Sequence, residues 1–394
     1  MAASESRYEA FLDSRAREGL RRSLLAVAAR DARIIGAEGR SYVNFSSNDY
    51  LALRFNEALI GRAMQWAEIY GVGSGASRLV TGNLDLFAPI EAKIAQVKKK
   101  QAALVMASGF QTNAAVLQAL FDRSVLGAEP LVFADRLNHA SMHFGCQAAG
   151  VRQLRYHHCD AAHLGELLSH YQGDDRPRFI LTESVFSMDG DIAPLAEIAL
   201  LAREHDACLI VDDAHATGIL GEGGSGLSGA ADIVIGTFSK ALGGFGGYVA
   251  STETVREYLI NRCGGLIYST ALPPPVLGAI DAALDSVPGM DTERAYVASL
   301  AERFRAGASA IGLDTGASTS QIVPVILGSP EAAIAMSYRL RQAGLWANSI
   351  RPPTVPPGTA RLRLAFTAAH QETDIDRLLD VLAGEHAAPH ARAM

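Results

Sequence analysis

One lysine lies in a stretch that suits covalent chemistry with a carbonyl compound. Residues 231–250 read ADIVIGTFSKALGGFGGYVA: an apolar strand, a short polar turn that holds Lys240, a cluster of glycines and a second apolar strand. Desolvation disfavours the ammonium form of a lysine and lowers its pKa, and glycines let the backbone approach whatever the lysine holds. The stretch therefore predicts a Schiff-base lysine, with a surface lysine in a β-turn as the alternative.

Other polar residues fall where predicted strands end. The order strand, polar turn, helix recurs at 102–120, 130–145, 178–205 and 207–221. This alternation predicts an α/β fold with a mostly parallel central sheet covered by helices. In such sheets ligands gather beyond the carboxyl ends of the strands. The residues at those ends are Ser108, Gly109, Phe110, Asp135, His139, Glu183, Ser187, Asp212, Asp213 and His215.

Several of these positions also allow a plainer interpretation. Gly109 and Phe110 open a helix directly after a strand, where backbone N–H groups make an anion site, but an ordinary turn has the same form. A loop histidine such as His139 is often structural or solvated. Asn48, in the polar turn of SYVNFSSNDYLAL, is equally well a turn former.

The flanking regions suggest the domain boundaries. Residues 1–45 are predicted as an N-terminal helical segment, with an arginine-rich helix over 6–30. Residues 46–285 are predicted as a large domain and 286–394 as a smaller C-terminal α/β domain, after the prolines at 273–275. The final residues, AAPHARAM, are expected to be disordered.

The triplet at 98–100, Lys-Lys-Lys, suits a helix C-terminus or a docking site for an acidic carrier protein.

A strand near the C-terminus carries two arginines. Arg361 and Arg363 follow the proline-rich loop in IRPPTVPPGTARLRLAF, and alternation along a strand puts them on the same face. A guanidinium group can pair with a carboxylate through two hydrogen bonds. The two arginines are therefore candidates for binding an acidic substrate, or else charges on a half-exposed strand.

Composition narrows the class of protein. The net charge is −7, from 35 basic and 42 acidic residues, which disfavours a general nucleic-acid-binding role. The four cysteines are widely spaced, a pattern typical of a reducing cytoplasm rather than of a zinc site or disulfide framework. No signal peptide or membrane-spanning run is recognised, so a soluble cytoplasmic protein is expected.

A glycine motif at 221–226 imitates a dinucleotide fingerprint. Gly221, Gly223 and Gly226 satisfy G-x-G-x-x-G, but such a fingerprint must open a helix directly after a strand. Here LSGAAD follows before the next strand. A mobile surface loop is predicted, and not a nicotinamide cofactor site.

The sequence resembles the α-oxoamine synthases, which are fold-type I enzymes that use pyridoxal phosphate (PLP). The resemblance runs from about residue 40 to 385 and rests on motifs in the family's order: NFSSNDYLAL, SGASRLVTGN, ASGFQTN, DRLNHAS, TESVFSMDGD, VDDAHATG, GTFSK, YSTALPP and RPPTVPPGTARLRL. These enzymes condense an amino acid with an acyl thioester and release carbon dioxide. The resemblance implies a homodimer whose active sites are shared between two chains.

The resemblance also implies a role for individual residues. Lys240 would hold the cofactor covalently, Asp212 would pair with its ring nitrogen, His215 would contact its ring oxygen and His139 would stack on its ring. The cofactor phosphate and its surroundings would be contacted by Gly109, Phe110, Ser187, Thr237 and, from the partner subunit, Thr270. The amino-acid carboxylate would be bound by Asn48 and Arg363, and the acyl substrate's far end by Arg21 and Arg351.

Within the family, the IRPPTVPPGTARLRL segment and the following TAAH most resemble the biotin-pathway branch. That branch joins L-alanine to a pimeloyl thioester carried by coenzyme A or acyl carrier protein. The alternatives are sister enzymes (2-amino-3-ketobutyrate coenzyme A ligase, 5-aminolevulinate synthase, serine palmitoyltransferase) and a non-catalytic scaffold subunit. The sequence departs from the family pattern at Ala52, where glycine is common, in GFGGYV after Lys240 and in a short 221–232 segment. These departures bear on loop shape and substrate choice.

Overall fold

The computed structural model describes residues 2–386, so the tail that we expected to be disordered lies outside the described residues. The chain divides into two compact units. Asn48–Ser187 and Asp191–Tyr296 form the larger unit, and the rest of the described chain forms the smaller one.

Within residues 2–386 the strands and helices are numbered in chain order. The strands are β1 Ala28–Ala29, β2 Ile34–Ala37, β3 Arg40–Asn44, β4 Ala102–Met106, β5 Leu131–Asp135, β6 Gln153–Tyr156, β7 Arg178–Glu183, β8 Ala207–Asp212, β9 Ile233–Thr237, β10 Gly247–Ser251, β11 Ile322–Gly328, β12 Leu345–Trp346, β13 Asn348–Ile350 and β14 Ala360–Ala365. The helices are α1 Ala2–Arg17, α2 Glu57–Tyr70, α3 Phe87–Lys98, α4 Gly109–Leu120, α5 Arg123–Leu126, α6 Ala140–Ala149, α7 Ala161–His170, α8 Leu195–Glu204, α9 Glu253–Arg262, α10 Gly264–Ile267, α11 Pro274–Ser286, α12 Asp291–Ala310, α13 Pro330–Gln342 and α14 Glu372–His386.

The larger unit is built on one sheet of mostly parallel strands. The strand order is β4-β10-β9-β8-β7-β5-β6, in which β10 runs antiparallel to both its neighbours. The central strands are buried on both faces, as expected when helices cover a parallel sheet. In register, Glu183 of β7 lies beside Asp212 of β8. The predicted fold class is confirmed, and the sheet brings the ends of β7, β8 and β9 to one edge.

The smaller unit contains two further sheets. One has the order β1-β2-β3-β12 and the other the order β11-β14-β13. His370, from the TAAH segment, is stacked on Phe45 with the ring centres 4.5 Å apart. The ring accepts the backbone N–H of Thr367 at Nδ1 (3.0 Å), and burial lowers its pKa to about 4. This segment therefore has a structural role in the fold.

The N-terminal region differs from the predicted helical segment. Helix α1 ends at Arg17 rather than near residue 30, because Gly19 takes a left-handed φ of 65° and the N–H groups of Leu20 and Arg21 turn back to Arg15 O. Strands β2 and β3 follow, and β3 pairs with β12 from the C-terminal part of the chain. The pairing of β3 with β12 explains why the residues before Asn48 belong to the same compact unit as the C-terminal residues. We had expected domain boundaries at residues 45 and 285.

The three lysines at 98–100 are not a free basic patch. Lys98 is buried at the end of α3, with Nζ 2.7 Å from Asp213 Oδ2, 2.7 Å from Thr217 Oγ1 and 2.6 Å from Ser225 O. Burial acts to lower the pKa of Lys98, but the charges of Asp213 and Tyr248 and their hydrogen bonds to the ammonium group together outweigh burial and raise it. This buried ion pair leaves Lys99 as the exposed member of the triplet, so the triplet offers little to an acidic carrier protein.

The glycine motif packs over this ion pair and is not a loose loop. A Cβ at Gly226 would lie 1.8 Å from Asp213 Oδ2, so only glycine fits, and its φ is 85°. The backbone N–H of Leu227 and the hydroxyl of Ser228 both donate to the Asp213 carboxylate, at 3.2 and 2.9 Å. The prediction of a mobile surface loop is therefore wrong, because the buried carboxylate binds the loop.

Among the described residues, no helix combines the length and the apolar character needed to cross a membrane.

Candidate active site

A cavity of about 200 Å³ opens at the carboxyl ends of β7, β8 and β9. Its lining comes from strand ends and helix starts, as the sheet topology predicts. The lining residues are Ser108, Gly109, Phe110, Asn113, His139, Ser141, Glu183, Asp212, Ala214, His215, Ile235, Gly236, Thr237, Ser239 and Lys240.

Lys240 is half-buried in this cavity, three residues beyond the end of β9. The turn before it is held by Thr237, whose hydroxyl donates to Gly246 O (2.6 Å) and accepts the backbone N–H of Ser239 (3.2 Å). On the other side, the backbone N–H of Gly243 donates to Lys240 O at 2.9 Å. The amine is thus presented from a short polar turn at the end of a strand, as the sequence predicted, and hydrogen bonds on both sides fix this turn.

One end of the cavity is suited to an anion. Gly109 and Phe110 are the first residues of α4, and Ser108 caps the helix by accepting the N–H of Gln111 at 3.2 Å. The first N–H groups of a helix have no acceptor within the helix and carry partial positive charge. A Cβ at Gly109 would lie 3.1 Å from Thr237 Cβ. Glycine therefore keeps open a cradle lined by backbone N–H groups and by the hydroxyls of Thr237 and Ser239.

Asp212 ends β8 and is fixed by two donors. The backbone N–H of Ala214 donates to Oδ1 at 2.9 Å, and the side-chain amide of Asn113 donates to Oδ2 at 2.6 Å. The same amide lies 3.0 Å from Ser141 Oγ. Asn113 was not among the residues predicted from the sequence, although it lies one helical turn after Gly109 and therefore on the same face of α4.

Glu183 is a second carboxyl group at this edge of the sheet, predicted from the sequence to lie at a strand end but given no role there. It is buried, lines the cavity and is the register neighbour of Asp212. Burial, followed by the charge of Asp212, raises the pKa of Glu183 well above its ordinary value. The neutral form of Glu183 is therefore favoured beside Asp212, as expected for two adjacent buried carboxyl groups.

Two histidines complete the cavity. His139 caps α6, and its Nδ1 lies 2.7 Å from Ser141 Oγ. Burial lowers the pKa of His139, so its ring stays neutral and can pack against a planar ligand. His215 is buried, and its Nδ1 lies 2.7 Å from the hydroxyl oxygen of Tyr50. The structure thus brings both predicted histidines to the cavity that contains Lys240.

Three predicted residues of the larger unit are not among those lining the cavity: Asn48, Ser187 and Thr270. Thr270 instead forms an isolated β-bridge with Ser77 and lines a separate small cavity with Arg78 and Phe87. Asn48 Oδ1 lies 3.2 Å from the Tyr50 hydroxyl, which itself contacts His215.

Asp135, another carboxyl group at a strand end, does not line the cavity and instead contacts a histidine. It is buried and contacts Nδ1 of His158 at 3.0 Å, while Nε2 of the same ring lies 2.8 Å from Asp191. Burial acts to lower the pKa of His158, but its hydrogen bonds to the two carboxylates outweigh burial and raise it to about 12. This cluster is an ion-pair bridge outside the cavity.

The smaller unit holds the predicted arginines. Arg361 is buried and donates to the Asp189 carboxylate, to Met188 O (3.3 Å) and to Thr359 O (2.9 Å). Its guanidinium group therefore stabilises the fold through hydrogen bonds within the smaller unit. Arg363, also buried, lies opposite Pro324 and Asn348 in the neighbouring strands.

Arg21 and Arg351 line two different cavities. A cavity of about 210 Å³ contains Arg351 and Thr354, and one of about 420 Å³ contains Arg21 and the apolar side chains of Phe11 and Leu12. Leu20 and Arg22 line both cavities. Arg351 donates to Gly19 O, and Arg22 donates to Thr354 Oγ1 at 3.0 Å.

Comparison with known proteins gives near full-length matches. The family model "Aminotransferase class I and II" matches residues 40–382. A protein of Gluconacetobacter diazotrophicus named 8-amino-7-oxononanoate synthase is 53% identical over 380 residues, which cover 95% of this chain and 96% of the relative.

Solved structures of similar proteins also superpose on most of the chain. A serine palmitoyltransferase from S. paucimobilis with a bound PLP–myriocin aldimine superposes with a TM-score of 0.89 at 25% identity, covering 99% of both chains. An 8-amino-7-oxononanoate synthase from Francisella tularensis superposes with a TM-score of 0.76 at 28% identity, covering 89% of this chain and 99% of the other.

Proposed function

This chain belongs to the aminotransferase class I and II family as an α-oxoamine synthase of fold type I, and we propose that it joins L-alanine to a pimeloyl thioester in biotin biosynthesis. The observation that carries the proposal is the 53% identity over 95% of the chain to a relative named 8-amino-7-oxononanoate synthase. The cavity around Lys240 supplies the chemical groups that such a reaction requires.

The enzyme uses pyridoxal phosphate, and the residues of the cavity fit this cofactor. We assign the phosphate to the cradle that Gly109 keeps open, with the N–H groups of Gly109 and Phe110 as donors and with Thr237 as a neighbouring contact, since its hydroxyl proton is donated to Gly246 O. Ser187 and the partner subunit's Thr270 are proposed as further contacts from the family resemblance. When bound, the cofactor supplies an electron sink that stabilises negative charge at the Cα of the amino acid.

Each catalytic residue then has a task set by its position. Lys240 would hold the cofactor covalently, and its Nζ would accept the Cα proton of alanine as general base. Asp212, oriented by Asn113 and Ala214, would accept a hydrogen bond from the protonated ring nitrogen. His215 would donate to the ring oxygen, and the neutral ring of His139 would pack over the cofactor face and restrict access of water.

The overall reaction balances without a further co-reactant. A carbon–carbon bond forms between Cα of alanine and the thioester carbonyl carbon, and the carbon–sulfur bond breaks so that the thiol leaves. The carboxyl group of alanine departs as carbon dioxide, the proton that Lys240 accepted returns to Cα in its place, and a proton from solvent converts the leaving thiolate to the thiol. We propose that Arg363 and Asn48 bind that carboxylate before it leaves, and that Arg21 and Arg351 bind the far end of the acyl chain.

We also propose a homodimer in which each active site takes Thr270 from the partner chain. Thr270 pairs with Ser77, and the segments around them expose large apolar side chains at Ile69, Val72, Leu79, Val80 and Tyr268. Monomeric proteins rarely expose such groups together. A second copy of this chain would cover these apolar side chains and bring Thr270 to the active-site cavity of the partner.

The four free cysteines support our proposal of a cytoplasmic location.

The experiment that tests the function is an activity panel. The purified enzyme with its cofactor is assayed with L-alanine, glycine and L-serine against pimeloyl, acetyl, succinyl and palmitoyl thioesters, each acyl chain carried by coenzyme A or acyl carrier protein. We expect the largest kcat/KM for L-alanine with a pimeloyl thioester, with one carbon dioxide released for each thiol. A larger kcat/KM for glycine or serine with another acyl chain would overturn the proposal.

The second candidate is a sister α-oxoamine synthase. The observation that supports this second candidate is the TM-score of 0.89 to a serine palmitoyltransferase. The activity panel of amino acids and thioesters decides between the two candidates. A non-catalytic scaffold is disfavoured because Lys240, Asp212 and His139 all line one cavity.

A further inference from the structure

Gln111 links the helix that opens the anion cradle to the segment that carries Thr270. It lies in the first turn of α4 but outside the lining of the active-site cavity. Its side-chain amide donates to Ser269 Oγ at 2.6 Å and to Gly265 O, in α10, at 2.9 Å. A Cβ at Gly265 would collide with Ala115 Cβ, so glycine permits the close contact between α10 and α4. The residue before Thr270 is therefore bonded directly to the first turn of α4.

The orientation of this amide is fixed by its partners. The amide oxygen of Gln111 accepts the backbone N–H of Ala107 at 3.1 Å, while both protons of the amide nitrogen are donated to oxygen atoms. A flipped amide would place its oxygen against the carbonyl oxygen of Gly265 and its nitrogen against an N–H group, so only one orientation satisfies every partner. One side chain thus joins the end of β4, the start of α4 and the segment at 265–269.

The other side of the Thr270 segment is held by a neighbouring loop. Thr270 forms an isolated β-bridge with Ser77. The backbone N–H of Ala271 donates to Ala76 O at 3.0 Å, and the hydroxyl of Ser74 donates to Ala271 O at 2.7 Å. Thr270 itself is exposed and does not line the cavity of its own chain. The segment is therefore fixed from two sides while the threonine stays accessible to a second chain.

We propose that Gln111 is a positioning residue for the active site of the partner chain, because it places Thr270 where the phosphate of the partner's cofactor can be contacted. The inference rests on the proposed function, and within it on the shared active site. Without the amide, the segment that carries Thr270 loses its attachment to α4 and is held by the neighbouring loop alone. A change at Gln111 in one chain therefore weakens cofactor binding in the other chain.

The first test uses Gln111→Met, which nearly keeps the length of the side chain but removes the amide. In the homodimer we expect pyridoxal phosphate to dissociate about two- to tenfold faster, as for the loss of one hydrogen bond. The release is followed by absorbance. The matched control is Gln118→Met, because Gln118 is exposed on the same helix. Unchanged release in Gln111→Met, or equally fast release in the control, would overturn the proposal.

Mixed dimers show which site Gln111 serves. Gln111→Met chains and Lys240→Ala chains carry different affinity tags, so that dimers with one chain of each kind can be isolated. Their one remaining Lys240 lies in the Gln111→Met chain and takes Thr270 from a chain whose Gln111 is intact. We expect the cofactor on this lysine to dissociate at the wild-type rate. A rate as fast as in the Gln111→Met homodimer would show that Gln111 acts within its own site, against the proposal.

Two further variants complete the experiment. Ser269→Ala removes the other end of the same hydrogen bond and should behave like Gln111→Met in the homodimer and in the mixed dimer; it also carries the test if Gln111→Met does not fold. Thr270→Val in the same mixture tests the shared site itself. If Thr270→Val recovers in the mixed dimer and the other two variants do not, only this inference is wrong. If none of them recovers, the shared active site is wrong as well.

Discussion

Asn113 donates its side-chain amide to Asp212 Oδ2 across 2.6 Å while the same nitrogen lies 3.0 Å from Ser141 Oγ. Ser141 in turn contacts His139 Nδ1 at 2.7 Å. One amide thus links the carboxylate assigned to the ring nitrogen with the histidine assigned to the ring face.

The first prediction concerns that link. Asn113→Ala should weaken pyridoxal phosphate binding about 10- to 100-fold, because a hydrogen bond to a charged group is lost. The measurement is a titration of apoenzyme with the cofactor, followed by absorbance. Asn138→Ala is the matched control: Asn138 is buried and donates to Leu181 O at 3.0 Å, outside the cavity lining. Cofactor binding weakened equally in both variants would count against the role of Asn113.

The second prediction concerns the covalent lysine. Reduction of the holoenzyme with borohydride should fix the cofactor on Lys240, and peptide mapping should find the label there. Lys240→Ala should lower kcat by about 10²–10⁴-fold or more, since the general base is lost, while thermal unfolding changes little because the side chain is only half-buried. A label on a different lysine would show that the assignment is wrong.

The third prediction tests the shared active site. Lys240→Ala and Thr270→Val chains should each form impaired homodimers. If Thr270 serves the partner's site, mixed dimers should regain activity in one of their two sites, because that site combines an intact lysine with an intact threonine. If Thr270 serves its own chain, mixing restores nothing. Activity measured after mixing, together with sedimentation to confirm exchange, decides between these outcomes.

The fourth prediction separates the two arginines of β14. Arg363→Lys should raise the KM for L-alanine about tenfold or more, since an ammonium group cannot reproduce two-point pairing with a carboxylate. Arg361→Lys should instead lower thermal stability, because Arg361 holds Asp189 and the backbone of Met188. Steady-state kinetics and thermal unfolding are measured on both variants. A KM effect for Arg361→Lys as large as for Arg363→Lys would contradict the assignment.

The fifth prediction concerns pH and the bridge of His158. The folded-state pKa of His158 is raised to about 12, above an unfolded value near 6.5. Its contribution to stability is therefore complete below about pH 6.5 and is lost as the pH rises toward 12, by at most about 1.4 kcal/mol per pH unit.

Urea unfolding at several pH values should show this slope in the wild type and not in His158→Gln. His157→Gln is the control, because the His157 side chain is 63% exposed. A His158→Gln variant whose stability falls as steeply as the wild type between pH 7 and 9 would show that the bridge is not the cause.

The strand-end residues could be predicted from the sequence because parallel strands align their carboxyl ends. Lys240, Asp212, His215, His139 and Gly109 follow from that rule, and their cofactor roles came from the family resemblance. Gln111 could not be found in this way, since its partners Gly265 and Ser269 are 154 and 158 positions away. The lysine triplet at 98–100 was correctly predicted to lie at a helix C-terminus, but the burial of Lys98 could not be predicted, because its partner Asp213 is 115 positions away.

The Lys98–Asp213 pair also couples the glycine loop at 221–226 to the end of β8. One buried ammonium group binds the turn after β8 through Asp213 and Thr217, and the glycine loop through Ser225 O. Lifting the loop away would leave that charge without a full set of partners in a dry interior, which is strongly unfavourable. The loop and the end of β8 therefore form one cooperative unit. In hydrogen exchange, amides of the glycine loop should exchange together with those near Asp212, and not at the rate of a surface turn.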